Sequence, residues 1–318
     1  MLIDEILRQT EHFECGKANA IIIGGPTASG KTSAAIEIAL KKNGEIVSCD
    51  SMQIYRRMDI GTAKATIEEQ AKVPHHMIDV IEPWINYSVF DYKVAAEKCI
   101  ANIISKGKIP VICGGTGLYI NSLIENRQYT SEDDTEIRSE LERMADEGKY
   151  DAVYEMLCQY DPEAAESIHK NNVKRVIRAV ALFKLTGKTQ KQRNAESVLV
   201  PADIEYKTFV INPERETLYS RIDQRVDIMI KEGLYKETEN VYNECIDAVK
   251  KGIASSDTVD GLTSLAAIGY REMIRHIFFG EMTLDEVCEK IKINTRHYAK
   301  RQLTWFRKTP GAVFLDAK

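Results

Sequence analysis

The feature that most constrains this chain is the segment GPTASGKT at residues 25–32, which directly follows the apolar run AIIIG at residues 20–24. A short apolar run before Gly-Pro is typical of a buried strand. Glycines let backbone N–H groups turn toward oxyanions, and the start of a following helix adds partial positive charge. Lys31 supplies a mobile cation, and Thr32 a hydroxyl for a phosphate oxygen or Mg²⁺. The motif therefore predicts a site for a di- or triphosphate group, without specifying a nucleotide.

The order of apolar runs predicts a parallel sheet around this loop. Short runs of β-type residues alternate with longer segments of helical spacing, which is typical of a parallel sheet covered by helices. The predicted elements are strands at 20–24, 45–50, 74–83 and 108–117 and helices at 32–41 and 90–107. The fold class is therefore α/β, with a P-loop NTPase-like parallel sheet core.

The sequence changes character near residue 130, where a polar turn leads into a charged segment of helical spacing. From there to about residue 193 we predict helices and no strand. Later elements are predicted strands at 205–212 and 312–316 and helices at 216–233, 264–280 and 284–308. We therefore divide the chain into an N-terminal extension (1–19), a P-loop α/β core (20–130 and 195–318) and an inserted all-helical domain (131–194).

Basic residues are concentrated in two segments, although the chain as a whole is acidic. The net charge is −5, with 43 Lys and Arg against 48 Asp and Glu. Residues 170–193 contain eight Lys or Arg and residues 290–308 contain seven, and neither segment has an Asp or Glu. Such clustering indicates a local site for a polyanion. Two solvated helix faces balanced by acidic neighbours are the alternative explanation.

Composition excludes several other classes of protein. No apolar run approaches the ~20 residues that a membrane span needs. The first residues mix charges with apolar side chains and lack the apolar stretch of a signal peptide. The seven cysteines are scattered and form no CxxC pair, so we expect reduced thiols, with neither a zinc site nor a disulfide framework. We therefore expect a cytoplasmic protein without a membrane partner. We also expect a monomer.

Asp50 comes at the end of the second predicted strand, the edge where an open α/β sheet places its site. Its carboxylate can hold Mg²⁺ or accept a proton as a general base, and capping the next element is the alternative. A glycine turn, GGTG at 114–117, reaches the same edge and either admits a substrate or serves the turn alone. Arg221 and Arg225 share one helix face, where they bind phosphate oxygens or pair with acids in solvent.

Two further features allow ordinary structural roles. His75 and His76 have no partner at metal-ligand spacing, so we interpret them as packing or hydrogen-bonding residues. Trp305 and Phe306 lie among basic residues, where aromatic rings can stack on RNA bases or can belong to the core.

Together these segments resemble the tRNA dimethylallyltransferase family. The resemblance rests on GPTASGKT, CDSMQIYRRMDIGTAK (49–64), PHHMID (74–79) and GGTGLY (114–119), and it continues through GYREM (269–273) and KRQLTWFRK (300–308). It covers about residues 20 to 310, in order and with short gaps. GPTASGKT is shared with many NTPases, whereas the segments 49–64 and 114–119 together are specific. The segment at 240–262 is longer than is usual in the family, and the first 19 residues are an addition.

The resemblance implies transfer of a dimethylallyl group from dimethylallyl diphosphate to N6 of adenosine 37 in tRNA. It gives Asp50 the role of general base and makes Thr32 and Arg225, ahead of Arg221, contacts of the diphosphate, with Mg²⁺ bridging the phosphates at Thr32. The implied diphosphate site is Gly25, Pro26, Thr27, Ala28, Ser29, Gly30, Lys31, Thr32 and Arg225. The implied tRNA contacts are Asp50, Ser51, Met52, Gln53, Thr116, Arg138, Asn171, Asn172, Val173, Lys174 and Arg175.

Three other functions share part of this pattern. An ATP-dependent small-molecule kinase would have the same loop and a similar Asp, but would not need two acid-free basic segments. An RNA-binding module with a decayed loop is disfavoured by the intact Lys31, Thr32 and Asp50. An isopentenyltransferase acting on free adenine nucleotides would keep the catalytic residues but not the basic segment 170–193.

Overall fold

The computed structural model describes residues 2–127, 134–197 and 202–317. In these ranges the strands form one six-stranded sheet, with every neighbouring pair parallel, in the order β3-β2-β4-β1-β5-β6. The strands are β1 (Asn19–Gly24), β2 (Gly44–Ser48), β3 (His75–His76), β4 (Ile109–Gly114), β5 (Glu205–Pro213) and β6 (Val313–Ala317). Because β1 lies between β4 and β5, the loops that follow these strands meet at one edge of the sheet.

The α-helices, in chain order, are α1 (Leu2–Gln9), α2 (Lys31–Lys41), α3 (Ile67–Lys72), α4 (Val89–Ser105), α5 (Gly117–Ile124), α6 (Thr135–Met144), α7 (Tyr150–Tyr160), α8 (Pro162–Ser167), α9 (Val173–Thr186), α10 (Gln190–Glu196), α11 (Arg215–Glu232), α12 (Leu234–Lys250), α13 (Tyr270–Ile277) and α14 (Leu284–Phe306). A π-helical turn, Ala145–Lys149, joins α6 to α7, and two 3₁₀ turns, Val259–Gly261 and Ser264–Ala266, precede α13. No helix in the described ranges combines the length and the hydrophobicity that a bilayer crossing requires.

The described residues form two compact units, one within Met1–Ile124 and Asp203–Lys318 and the other within Glu125–Ala202. The predicted boundary after residue 130 lies outside the described residues, and the one after residue 194 falls inside α10. The N-terminal extension is part of the first unit. Ile6 and Phe13 are buried in the same core cluster as Ile21 and Ile38, so the extension packs on the sheet layer.

The first unit has apolar cores on both faces of the sheet and a third core among its later helices. One face is covered by α1 and α2, and the other by α4, α5 and the end of α14. The third core joins α11–α14 to residues 54–58. The 23-residue α14 contributes to two of these cores, because Val287 and Ile291 belong to the third and Phe306 packs under Gly24 of β1.

The second unit is entirely helical in its described part. Leu141, Val153, Leu157 and Val176 form its fully buried centre, contributed by α6, α7 and α9. Asp161 is buried and its carboxylate accepts bonds from Ala164 N (3.1 Å) and Gln190 N (2.6 Å). One side chain therefore fixes the starts of both α8 and α10.

Several elements differ from the sequence prediction, including α3 and α5, which were not predicted. The strand expected at 74–83 is only His75–His76, since Met77 (φ 61°) and Asp79 (φ 54°) leave the extended region. The helix expected over 264–280 is a 3₁₀ turn followed by α13, because Gly269 (φ 99°) breaks the chain between them. Helix α12 was not predicted, although its buried Leu234, Val241, Cys245 and Ala248 have helical spacing.

Candidate active site

Two adjoining cavities open at the carboxyl edge of the sheet in the first unit. The first, called the loop cavity, has a volume of about 310 Å³ and includes Lys31, Thr32, Lys64 and Glu69 in its wall. The second, called the helix cavity, has a volume of about 460 Å³ and is lined mainly from α11, α14 and residues 263–271. Residues that line both cavities are Thr27, Asp50, Thr62, Ala63, Arg225 and Met229.

The predicted phosphate loop connects β1 to α2 and closely approaches the neighbouring strand. A side chain at Gly25 would place its Cβ 2.9 Å from the Ile211 carbonyl oxygen, so only glycine fits. Gly30 has a left-handed backbone (φ 86°), which turns the chain into α2. Pro26, Ala28 and Ser29 are buried. The loop therefore directs the start of α2 toward the loop cavity, as an anion-binding loop requires.

Lys31 and Arg225 are cations that the described protein does not neutralise. Lys31 Nζ reaches the Pro26 carbonyl oxygen at 3.4 Å, and Arg225 Nη1 reaches Thr27 Oγ1 at 3.4 Å. Burial lowers the pKa of both side chains, and neither forms an ion pair within the described ranges. Two desolvated cations side by side are costly unless an anion joins them. Arg221 lines neither cavity, which distinguishes it from Arg225.

The ends of β2 and β4 bring Asp50, Ser51 and Thr116 together. Thr116 Oγ1 accepts a bond from Ser51 N (3.0 Å), and Thr116 N donates to the Cys49 carbonyl oxygen (3.2 Å). Asp50 Oδ1 accepts from Met52 N (2.9 Å) in a turn, so it caps no helix. Its carboxylate therefore has a fixed position on the wall that both cavities share.

The side chain of Gln53 forms its hydrogen bonds within the protein. Its Nε2 donates to the carbonyl oxygens of Thr62 (3.3 Å) and Ala63 (3.2 Å), and its Oε1 accepts from Ser48 Oγ (3.2 Å). These bonds tie the start of the 53–64 loop to its end, with both amide hydrogens used. Met52 and Ser51 line the helix cavity.

Two residues missed in the sequence analysis hold the same loop. Lys64 is almost fully buried and bonds to the Tyr55 carbonyl oxygen (2.9 Å), to Asp79 Oδ1 (2.7 Å) and to Asp59. Glu237 of α12 accepts from three successive backbone groups, Asp59 N, Ile60 N and Gly61 N, at 2.9–3.1 Å. The Tyr270 hydroxyl also donates to Glu237 (2.5 Å). For Lys64, the available signal in the sequence was its position as the last residue of the segment 49–64, on which the resemblance rests.

Gln302 of α14 connects two loops of the site. Its Oε1 accepts from Thr27 N (2.9 Å), and its Nε2 donates to the Gly115 carbonyl oxygen (3.0 Å). Tyr298, one turn earlier, is in the wall of the helix cavity, and burial raises its pKa. Both residues lie in the acid-free segment 290–308, in which the sequence analysis considered the basic and aromatic residues but gave no role to Tyr298 or Gln302.

The remaining predicted tRNA contacts lie in the second unit. Arg138 of α6 is 3.8 Å from Asp134 and 4.0 Å from Glu142. Asn171, Asn172, Val173, Lys174 and Arg175 are all exposed at the start of α9. Asn172 occupies the N-cap position without a side-chain cap bond, so the first turn of α9 keeps donors for an anion.

The two histidines and two aromatic residues named in the sequence analysis differ in their surroundings. His75 Nδ1 bonds to the Val73 carbonyl oxygen (2.7 Å), and His76 Nε2 to Glu45 Oε2 (2.7 Å). Both are therefore hydrogen-bonding residues, as the sequence analysis interpreted them. Phe306 is buried and belongs to the core, whereas Trp305 is 41% exposed, so the core role named in the sequence analysis holds for Phe306.

The donor chemistry around Thr32 suits an ion held mainly by a substrate. The loop cavity offers the Thr32 hydroxyl and the carboxylates of Asp50, Asp59 and Glu69, all hard oxygen donors. No group of three or more acidic, His or Cys side chains in the described ranges is close enough to hold a metal alone. Mg²⁺ is commonly bound by one or two protein oxygens plus phosphates and water, so these residues fit it.

The chain matches the family model described as IPP transferase over residues 53–309. It is 45% identical to a protein named tRNA dimethylallyltransferase from Acetivibrio thermocellus, over 94% of this chain and 91% of the relative. The solved tRNA isopentenylpyrophosphate transferase of Bacillus halodurans is 40% identical, with a TM-score of 0.66, covering 94% of this chain and 90% of that one. A eukaryotic dimethylallyltransferase solved while acting on tRNA is 27% identical, with a TM-score of 0.78 and coverage of 94% and 74%.

The resemblance inferred from short motifs is thus confirmed along nearly the whole chain. The matched region includes the 53–64 loop, Arg225, Glu237 and Gln302. This chain belongs to the IPP transferase family.

Proposed function

We propose that this protein transfers a dimethylallyl group from dimethylallyl diphosphate to N6 of adenosine 37 of tRNA and releases diphosphate. The observation that carries the proposal is the position of Asp50 between two different cavities. The loop cavity has a phosphate loop and two cations without carboxylate partners, and the helix cavity has room for a second substrate. The names of the similar proteins support the same reaction.

The diphosphate occupies the loop cavity in this proposal. Of the predicted diphosphate residues, Thr27, Ala28, Gly30, Lys31, Thr32 and Arg225 line this cavity, whereas Gly25, Pro26 and Ser29 shape the loop. The Thr27 N–H already donates to Gln302, so the donors come from later residues of the loop, from Lys31 and from Arg225. Negative charge grows on the diphosphate as the C1–O bond breaks, and preorganised cations stabilise that charge. No phosphoryl group is transferred.

Asp50 acts as the general base. The exocyclic amine of adenine is a weak nucleophile, because its lone pair is delocalised into the ring. As the N6–C1 bond forms and the C1–O bond breaks, an N6 proton passes to the Asp50 carboxylate and the bonding pair leaves with the diphosphate. The turn that fixes Asp50 through Met52 N holds the carboxylate where both substrates meet.

Mg²⁺ is the expected cofactor, with Thr32 as its ligand from the protein. The ion would neutralise part of the charge on the diphosphate. Lys31 and Arg225 act independently of the ion. They bind oxygens of the diphosphate and orient this leaving group in the loop cavity.

The second unit supplies contacts to the anticodon stem-loop. The exposed residues 171–175 begin a segment without acids, and phosphate contacts of this kind provide affinity without sequence specificity. Asp50, Ser51 and Met52 line the helix cavity that receives the target base, and Gln53 and Thr116 position this segment through their hydrogen bonds. An unpaired base of the loop must leave its stack to reach Asp50, which costs less than extruding a paired base.

A transfer assay tests the proposal. The protein, Mg²⁺ and radiolabelled dimethylallyl diphosphate are incubated with unmodified tRNA, with tRNA carrying G at position 37, and with AMP. Label in the A37 tRNA alone is the expected result. Label in AMP would identify a free-nucleotide enzyme. In a parallel reaction that also contains ATP, consumption of ATP without label transfer would identify a kinase. Either result overturns the proposal.

A further inference from the structure

The boundary between the two cavities has few apolar side chains. In the proposed reaction, C1 of the donor leaves a diphosphate in the loop cavity and joins an adenine in the helix cavity. C1 and the chain attached to it must therefore pass the residues that line both cavities. Of the six described residues that do so, Ala63 and Met229 are the two without a polar side-chain group.

Ala63 has a backbone conformation that favours glycine. Its φ of 48° lies in the left-handed region, which glycine adopts freely and alanine only at a steric cost. Its N–H donates to the Ile60 carbonyl oxygen (3.0 Å), and its carbonyl oxygen accepts from Gln53 Nε2 (3.2 Å). Glycine would keep both hydrogen bonds, so the methyl group is all that alanine adds at this position.

The packing of the protein does not account for that methyl group. Ala28 also has a left-handed backbone (φ 63°) and lines the loop cavity, but it is buried in an apolar cluster with Leu218 and Ile222. Ala63 is only half-buried and belongs to none of the apolar cores that the described residues form. Met229 packs against the third core. Ala63 is thus the boundary residue whose apolar group the fold leaves unused.

The residues on either side of Ala63 are held firmly in place. Gly61 N donates to Glu237 Oε1 (3.0 Å), and a Cβ at Gly61 would lie 2.4 Å from the Tyr270 ring, so the chain lies directly against that ring. Lys64 is almost fully buried and bonds to two carboxylates. A wall fixed in this way cannot move aside for a larger group, and it can therefore discriminate by size.

We propose that the Ala63 methyl group packs against the five-carbon chain of the donor and limits the size of the group that is transferred. The inference rests on the proposed function and deepens it. A dimethylallyl group has no polar atom, so it is recognised by shape and dispersion contacts. In an apolar site, one carbon more or less changes specificity by ~10–200-fold. Met229 is flexible and adapts its shape to the bound chain, whereas Ala63 does not.

The test pairs a smaller side chain with a larger donor. Wild type and Ala63→Gly are compared with dimethylallyl diphosphate and with 3-methylpent-2-enyl diphosphate, whose E and Z isomers add one carbon to either terminal methyl. The ratio of kcat/KM for the two donors is measured at saturating tRNA. Wild type should prefer dimethylallyl diphosphate, and Ala63→Gly should shift the ratio about tenfold toward at least one isomer.

Thermal melting separates this role from a structural one. Ala63→Gly should melt at the same temperature as wild type or higher, because glycine relieves the left-handed strain. Asn43→Gly is the matched control, since Asn43 is exposed, has a left-handed backbone (φ 51°) and lines neither cavity. It should leave the donor ratio unchanged.

Three outcomes overturn the inference. The first is a donor ratio in Ala63→Gly equal to that of wild type for both isomers. The second is a clearly lower melting temperature, which would show that the fold itself needs the methyl group. The third is an equal shift of the ratio in Asn43→Gly. Failure of the proposed function is distinguishable, since wild type would then transfer no prenyl group to tRNA from either donor.

Discussion

Two loops line the loop cavity, and their lysines differ in the hydrogen-bond and ion-pair partners that the protein provides. Lys31 of the phosphate loop has one long contact to a carbonyl oxygen and no ion pair within the described residues. Lys64 of the 53–64 loop has a carbonyl oxygen and two carboxylates around it. A cation with its counterions in place stabilises the protein, whereas a desolvated cation without them marks where a ligand supplies the anion.

The difference extends to the backbone. In the 53–64 loop and the segment that pairs with it, Arg57, Ala63, Met77 and Asp79 have left-handed backbones, which costs ~1–2 kcal/mol for each non-glycine residue. Gln53, Lys64 and Glu237 bond to the surrounding chain and offset that cost. This loop is therefore rigid before substrate arrives, while the phosphate loop completes its interactions only with an anion.

The largest effect is expected at the boundary of the two cavities. Asp50→Ala should lower turnover by at least ~10³-fold, because it removes the proposed base, while tRNA affinity stays within a few-fold. Single-turnover transfer and filter binding measure the two quantities. Near-normal turnover would remove Asp50 from this role.

Matched substitutions of the two lysines test the comparison directly. Lys31→Met should weaken diphosphate binding by roughly 100-fold without lowering thermal stability, because it removes a desolvated cation that has no counterion. Lys64→Met should lower the free energy of unfolding by ~1–2 kcal/mol, a moderate value because Asp59 and Asp79 are partly exposed. Calorimetric titration and thermal melting distinguish the variants, and equal stability losses would contradict the comparison.

Glu237→Gln should loosen the wall between the cavities. Glutamine keeps the size of the side chain but has a single acceptor oxygen for the three N–H groups and the Tyr270 hydroxyl that now share the carboxylate. We expect a stability loss of ~1–2 kcal/mol and a larger effect on kcat than on the KM for tRNA. Tyr270→Phe removes only the hydrogen bond from the Tyr270 hydroxyl to Glu237, so it serves as the milder control. An unchanged kcat in both variants would mean that the loop needs no such support.

Replacing Lys174 and Arg175 together with Ala tests the second unit. Affinity for tRNA should fall, and the dependence of its logarithm on salt should become less steep by about two, because two phosphate contacts are lost. Transfer at saturating tRNA should change little. An unchanged salt slope would place the tRNA surface elsewhere.

The smallest expected effect is a proton uptake. Burial lowers the pKa of Lys31 when no anion is bound, and a diphosphate beside it raises that pKa again. At a pH above the lowered pKa, binding of the diphosphate should therefore be accompanied by uptake of a proton at Lys31. Titration calorimetry over a series of pH values, in two buffers of different ionisation enthalpy, measures the uptake, which should disappear in Lys31→Met.

The sequence was sufficient for features whose cause is local. The strand–loop–helix around residues 20–41 follows from a short apolar run, glycines and a helix former, and the structure agrees to within a residue. Helix α12 was not predicted: the predicted helix 216–233 stops at Gly233, whose left-handed backbone (φ 104°) joins two helices in the structure.

The bonds that complete the site could not be predicted from the sequence. Glu237 holds Ile60 from 177 positions away, and Gln302 holds Thr27 from 275 positions away. Neither pair leaves a local pattern, since each depends on how the later helices pack. The motif singled out Lys31 in the sequence, whereas the role of Lys64 depends on the positions of Asp59 and Asp79, which only the structure shows.

Helix α14 places side chains at four successive levels: Val287 and Ile291 in a core, Asn294 to Arg301 along the helix cavity, Gln302 between two loops, and Phe306 beneath β1. An inserted residue turns everything after it by ~100° and shifts it by ~1.5 Å. One insertion near residue 293 would therefore remove Tyr298, Arg301 and Gln302 from their places at once. We therefore expect this helix to tolerate a single change of side chain better than a change of length, and any insertion that the fold accepts to lie in the loops beyond its ends.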